Sequence, residues 1–285
     1  MKIDNWVILL VLFLVIFDIF VWKQVVFDSP NENLEVYFLE VGQGDSELVF
    51  LPGGVKILID GGPNNKILDE LSSILNPTDR YIDLVILSHP ELDHFGGLID
   101  VLKRYQVGAF IFNGRRGTAA AFQDLEKAIK DNKIAAIVLG EGDKIKYAEN
   151  QFNILSPSEE FLSSYELNDT TLVMKLDSQE AKILFTGDID KKIENYLIKK
   201  YDLDVDILKI PHHGSRFSSS KEFINEASPK VSVIEVGKNS YGHPTKQVLN
   251  RLASIGSQIF RTDKNGTVKL IIDSQNINVF HRTNF

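Results

Sequence analysis

Cysteine is absent from the 285 residues, and methionine occurs only twice. The lack of cysteine excludes disulfides, thiolate nucleophiles and thiolate-bound zinc together, so any metal must be held by nitrogen and oxygen ligands. Positive charge is also scarce: 31 Lys and Arg against 39 Asp and Glu leave a net charge of −8 and a pI near 5.3. A broad electrostatic grip on nucleic acid needs clustered Lys and Arg that release counterions; these totals argue against one but leave room for a local site. Alanine first appears at Ala109, and no small-x-small cleavage site follows the apolar N-terminus.

What is present is a globular composition, 44% hydrophobic and 25% charged, on a chain long enough for one sizeable domain. The N-terminus is different. Trp6 to Trp22 reads "WVILLVLFLVIFDIFVW", interrupted only by Asp18. Seventeen positions reach roughly 25 Å as a helix, near the lower limit for a membrane span, and Lys23 could snorkel to lengthen it. Apolar residues fill every helical face, which favours an uncleaved anchor over a buried core helix. Lys2 and Lys23 on the two flanks nearly cancel any positive-inside bias. The expected organisation is an anchor over residues 1–27, a polar linker over 28–33 and one domain over 34–285.

The domain opens with three strand candidates, "LEVYFLE", "SELVFL" and "KILID", separated by glycine-bearing turns and read as an antiparallel meander. Strand and helix then alternate to the end of the chain. Ser219 and Glu222 fit a capping box before "KEFINEA". Two halves, each of strands followed by strand and helix alternation, predict an α/β fold with two mixed sheets packed face to face and helices outside.

Five of the six histidines, His89, His94, His212, His213 and His243, lie in loops that directly follow a predicted strand. Loops at one end of a sheet converge, so the pattern suits a metal site assembled from distant segments. "LSHPELDHFGG" is the densest stretch, with His89, Glu91 and Asp93 read as alternating along an extended segment and His94 adjacent, which suits two neighbouring metals. Asp93 as a helix N-cap is the competing explanation, and it accounts for one of the four residues. "FTGDID" aims Asp188 off a strand end, and "LIDGG" does the same with Asp60; each alone could be a turn or cap aspartate.

H-x-E-x-D-H after a strand, an earlier "LIDGG", then "FTGDI", "DILKIPHHGS", "NSYGHP" and "FRTDKNGTV" resemble the metallo-β-lactamase fold superfamily. With "VGQGDS" and with Glu91 where that superfamily usually has a second histidine, the pattern is closer to the soluble domain of the ComEC competence-protein family. The resemblance covers almost all of residues 34 to 273. It implies a four-layer αββα sandwich, here as a stand-alone version with one N-terminal transmembrane helix in place of the family's channel.

The resemblance further implies two divalent metal ions. Asp188 would bridge them, with His89, Glu91 and Asn168 on the first and Asp93, His94 and His243 on the second. An oxygen-rich first centre shifts preference toward manganese or magnesium, with zinc also compatible. His212 or His213 would protonate a leaving oxygen or bind a phosphate oxygen, assisted by Ser215. Asp60 would orient a ligand, and Asp45, Gln43 and Tyr241 would lie around the floor and substrate. The expected activity is phosphodiester hydrolysis, with DNA as substrate and a DNA-uptake channel as partner, on the outer side of the membrane. Two alternatives stand beside it: hydrolysis of a lactone, cyclic nucleotide or phosphorylated metabolite, and a non-catalytic domain that binds metal or nucleic acid.

Overall fold

The computed structural model describes residues 5–27, 33–273 and 276–281. Helix α1 spans Asn5–Phe27, and its Asn5–Trp22 segment is long and apolar enough to cross a membrane. The expected linker lies outside the described residues except for Asn33.

Two sheets form the domain. The first carries β1 (Leu34–Phe38), β2 (Glu47–Leu51), β3 (Val55–Ile59), β4 (Tyr81–Ile86), β5 (Gln106–Phe112) and β6 (Ala135–Val138), joined at its other edge by β14 (Val268–Ile272) and β15 (Ile277–His281). The second carries β7 (Lys144–Tyr147), β8 (Asn150–Ser156), β9 (Val173–Asp177), β10 (Lys182–Phe185), β11 (Ile207–Lys209), β12 (Val231–Ile234) and β13 (Gln258–Arg261). The predicted meander is present, since β1, β2 and β3 pair antiparallel, with Val36 opposite Val49 and Leu48 opposite Leu58. From β3 to β6, and again from β10 to β13, neighbouring strands run parallel.

Parallel neighbours need crossover connections, and helices supply most of them. Over the first sheet lie α2 (Lys66–Ile74), the short turn α3 (Leu92–Phe95), α4 (Leu98–Arg104) and α5 (Phe122–Asp131). The second sheet is accompanied by α6 (Glu159–Leu162), α7 (Lys191–Lys200), α8 (Lys221–Ala227), α9 (Lys246–Ser254) and α10 (Thr262–Asn265). Each longer helix buries one stripe, as Ile193 and Leu197 of α7 and Val248 and Leu252 of α9 show. Three apolar cores result: one between the sheets and one under each helical layer. Phe38, Phe152 and Phe185 stack at the centre of the inter-sheet core, with ring centroids 6.2 to 6.4 Å apart. The four-layer αββα arrangement expected from the sequence is therefore the arrangement found.

Two local expectations are corrected. The N-cap of α8 is Ser220, whose hydroxyl accepts the Phe223 N–H, and not Ser219. Ser219 has a φ of +53°, and its N–H goes to Glu194 of α7, which also accepts the Ser220 N–H. A buried carboxylate from a neighbouring helix thus does what the local capping box was expected to do. Residues 89–93 are also not extended throughout: Glu91 is the extended N-cap, while Asp93 and His94 already lie in α3. The turn ends at Gly96 and Gly97, which pack against the turn after β3.

That packing leaves no room for side chains. The Gly97 N–H donates to Gly62 O at 2.9 Å, and a Cβ at Gly97 would sit 2.1 Å from Gly61 O and 2.5 Å from Asn64 O. Gly97→Ala should destabilise the domain by about 1–3 kcal/mol through backbone displacement. Equilibrium urea unfolding would check it, and a change within the error of the wild type would refute the close packing.

Candidate metal centre

The centre forms where parallel strands of both sheets end. Asp60 follows β3 with a φ of +56°, in the left-handed region, and so turns its carboxylate back across the end of β4. There it accepts the Ser88 N–H at 2.7 Å and the Ser88 hydroxyl at 2.5 Å, and it meets His94 Nδ1 at 2.7 Å. A proton on His94 Nδ1 leaves Nε2 free to face Asp188 Oδ2 at 3.6 Å. His89 lies beside it, with ring centroids 4.1 Å apart and Nδ1 3.1 Å from Ser88 Oγ. Glu91 makes no side-chain capping bond, and Asp93 occupies the first turn of α3 instead of the cap position.

The second sheet contributes Asp188 after β10 and two histidines after β11. Gly187 takes a φ of +47°, and a Cβ there would lie 2.6 Å from Thr171 Cγ2. His212 and His213 have φ values of +50° and +53°, a backbone state uncommon for side-chain-bearing residues and one that concentrates at functional sites. His213 Nδ1 lies 2.8 Å from Glu235 O, which turns Nε2 toward Asp188 Oδ2 at 3.5 Å and Asp93 Oδ2 at 3.6 Å. Asp93, His94, Asp188 and His213 thereby bring one ligand atom each within 4.8 Å of one another.

His243, expected with Asp93 and His94, is not in this group of four; His213, expected as a proton donor or phosphate binder, is. The His243 ring faces His212 at 5.7 Å, and His212 Nε2 is 3.8 Å from Asp188 Oδ2. Adjacent histidines look alike in sequence, and the successive positive φ values are what send one inward and leave the other 28% exposed. Asn168 sits in the 3-10 turn Leu167–Thr170, with Oδ1 buried and unpartnered. Ser215 is buried, and its hydroxyl accepts the Phe217 N–H at 3.3 Å, so it shapes the loop. Tyr241 is exposed and stacks on His243 at 5.6 Å. Gln43 accepts the Gly237 N–H at 3.2 Å and ties the first glycine turn to the second sheet.

Beneath the group lies a buried ionic floor that the sequence reading largely missed. Lys209 is fully buried; its ammonium pairs with Asp45, donates to Gly187 O at 3.0 Å and lies 3.8 Å from Asp188 Oδ1. Asp45 in turn stands 3.3 Å from His213 Nδ1 and 3.8 Å from His94 Nδ1. Glu235 accepts the Ser46 N–H at 2.9 Å and shares a buried contact with Glu47 and Asp45. The available signal was Lys209 itself, a lone charge on an otherwise apolar strand.

Charges in this space are strongly displaced. Burial opposes ionisation of Asp188, yet His213, His94 and Lys209 overcome it and hold the carboxyl well below its ordinary range. Burial likewise opposes the charged forms of His94 and His213, and Asp188 with its carboxylate neighbours outweighs it, lifting His213 to about 10 and His94 well above its usual value. His89, by contrast, is lowered to about 3 by burial and by the adjacent His94.

The donor set fits a divalent cation. His89 Nε2, His94 Nε2, His213 Nε2 and Asp188 Oδ1 are all buried without a hydrogen-bond partner. Orphaned buried polar atoms cost about 1–3 kcal/mol each, and a cation on these lone pairs would satisfy them. Mixed imidazole and carboxylate donors suit manganese, iron or zinc.

A family model described as the Metallo-beta-lactamase superfamily matches residues 39–237. The chain is 29% identical to ComE operon protein 3 of Bacillus subtilis over 254 residues, covering 82% of this chain and 32% of that protein. It is 31% identical to competence protein ComA of Neisseria gonorrhoeae over 244 residues, covering 84% and 32% respectively. The chain thus spans about a third of the length of these relatives. Among solved structures, the metallo-beta-lactamase fold protein YhfI from Bacillus subtilis superposes with a TM-score of 0.56 at 13% identity, over 84% of this chain and 100% of that one. Zn(2+)-bound PqqB from Methylobacterium extorquens gives a TM-score of 0.53 at 12% identity, over 82% and 99%. These likenesses establish the fold.

The ionic floor makes stability depend on pH. Burial, then the charge of Asp45, raises Glu47 to about 8 from an ordinary 4.5. A carboxyl whose folded pKa is raised binds more protons folded than unfolded, so its contribution to stability falls as pH rises from about 4.5 to 8. Glu47→Gln should therefore gain stability relative to wild type progressively from pH 5 to pH 8, as followed by denaturant unfolding at each pH. A difference that stays constant would contradict the assignment.

Proposed function

Because the chain belongs to the metallo-beta-lactamase superfamily, we propose that it is a membrane-anchored, divalent-metal-dependent phosphodiesterase whose substrate is DNA, working in DNA uptake. The observation that carries this reading is the convergence of Asp93, His94, Asp188 and His213 beside the carboxylate of Glu91, a donor set richer in oxygen than an all-histidine one. The competence names of the curated relatives support the nucleic-acid substrate and the uptake setting. The division into an anchor over 1–27, a linker over 28–33 and a hydrolase domain over 34–285 belongs to the same proposal, as does an extracytoplasmic site.

In this reading Asp93, His94, Asp188 and His213 would hold one ion, and His89, Glu91 and Asn168 are candidates to hold a second. A divalent metal held there would make water a better nucleophile at neutral pH and would offset charge on the phosphoryl group. Asp60 fixes the tautomer of His94, so that Nε2 carries the lone pair. Lys209 holds Asp188 and Asp45 from below, which keeps the carboxylates in place before any cation binds. His212, with its ring partly open to solvent and Nε2 near Asp188, is placed to pass a proton to a departing oxygen. His243 stands beside it on the outer side.

The full chain in detergent should degrade DNA with added manganese, and Asp188→Asn should reduce this to background. Inertness toward every polynucleotide, with turnover of a lactone, cyclic nucleotide or phosphorylated metabolite, would replace the substrate. Undiminished activity in Asp188→Asn would remove the metal assignment. Asp60→Asn should weaken manganese binding about 10–100-fold, measured by calorimetry, because the imidazole it orients loses its partner. Unchanged affinity would mean that His94 does not depend on Asp60.

A further inference from the structure

The most exposed aromatic rings of the domain lie on loops that serve the metal centre. Outside α1, and among the described residues, the three most exposed large apolar side chains are Tyr165 at 100%, Tyr241 at 74% and Phe217 at 60%. All three sit on loops that also bring residues to the metal centre: Tyr165 precedes Asn168, Phe217 follows His213, and Tyr241 precedes His243. Exposed rings scattered singly need no explanation, but their concentration on these loops does.

Tyr241 is connected to the centre by a succession of rings. His213 lies 6.1 Å from His94, His212 lies 6.1 Å from His213, His243 lies 5.7 Å from His212, and Tyr241 stacks on His243 at 5.6 Å with 30° between the planes. His213 is buried, His212 and His243 are partly exposed, and Tyr241 is exposed. Both outer rings are held on constrained backbone. The Asn239 side chain spans the Tyr241 loop, donating to Gly237 O and His243 O and accepting the His243 N–H. The Phe217 N–H donates to Ser215 Oγ, and Phe217 O accepts the Lys191 N–H at 3.1 Å. The Arg216 guanidinium lies over the Phe217 ring, 4.7 Å from its centroid.

Overall charge works against binding a polyanion here. The chain carries −8, Arg116 is engaged by Glu126 through two hydrogen bonds, and Arg115 is engaged by Leu162 O and Ser164 O. Stacking is the physical alternative: a nucleobase on an aromatic face gains about 1–3 kcal/mol irrespective of sequence. Paired bases in a duplex keep their faces covered, so such a surface selects unpaired ones.

We propose that Phe217 and Tyr241 form a stacking platform for unpaired nucleobases that leads a single strand into the metal centre. The inference rests on the polynucleotide reading above and adds to it the strand state and the residues that recognise it. Stacking releases few counterions, so binding by this platform depends only weakly on salt.

The test uses the full chain in detergent with manganese and a single-stranded oligonucleotide carrying 2-aminopurine, with fluorescence read immediately after rapid mixing. Wild type should quench the base, with little change in affinity between low and moderate salt. The Phe217→Ala/Tyr241→Ala double variant should bind at least about tenfold more weakly and lose a similar factor in kcat/KM on the oligonucleotide. Its kcat/KM on an abasic strand of the same length, which has the phosphodiesters but no aromatic ring, should stay unchanged, and Phe217→Tyr/Tyr241→Phe should behave as wild type. Quenching without oligonucleotide cleavage would sustain the platform and overturn the nuclease reading. Cleavage without quenching, cleavage or quenching indifferent to the two rings, or an equal loss on both substrates would overturn the platform and leave the nuclease reading standing.

Discussion

A buried carboxylate held between two imidazoles and a buried ammonium is the constraint on which this structure turns. Asp188 is 1% exposed, and leaving it charged in that setting is costly unless partners surround it. His94, His213 and Lys209 all approach it, from two segments of the chain: His94 from the turn after β4, and Lys209 and His213 from β11 and the turn that follows it. Asp45 links the same three a second time, through contacts to Lys209, His94 and His213. Removing one member would leave others buried without a partner, so the group behaves as a unit. Its place in the molecule is fixed by both sheets together: Asp45 and His94 come from the first, Asp188, Lys209 and His213 from the second.

The fold answers this constraint through strand ends and turns. In open α/β sheets the loops beyond the carboxyl ends of parallel strands converge. Here β4, β10 and β11 all deliver side chains in that way. The turns are tight enough that Gly61, Gly62, Gly96 and Gly97 interlock with almost no space for a Cβ. Positive φ at Asp60, His212 and His213 then aims side chains that regular backbone would send elsewhere. The apolar cores supply the stability that tolerates these local costs.

Much of this was legible in the sequence. Alternating apolar runs and glycine turns gave the strands, their order and the two-sheet architecture, because a half-buried strand and a buried parallel strand leave distinct patterns. The loops bearing His89, His94, Asp188 and the His212–His213 pair could be recognised because each follows an apolar strand. Which of two adjacent histidines turns inward was not legible, since it depends on backbone dihedrals that both residue types permit. The floor was also hidden. Lys209, Glu47 and Glu235 lie far apart in the chain, and only tertiary packing brings their charges together. The Ser219 capping box failed for a related reason: Glu194, from another helix, took the N–H groups that local pattern assigned to Glu222.

The central claim is that Asp93, His94, Asp188 and His213 hold a divalent ion. Anomalous diffraction at the manganese edge, from crystals of the protein grown with manganese, tests it most directly. The account predicts a peak bound by those four side chains, with a second beside His89 and Glu91. Manganese bound elsewhere, for instance between His212 and His243, or an empty group in crystals of protein that hydrolyses DNA with manganese, would contradict it.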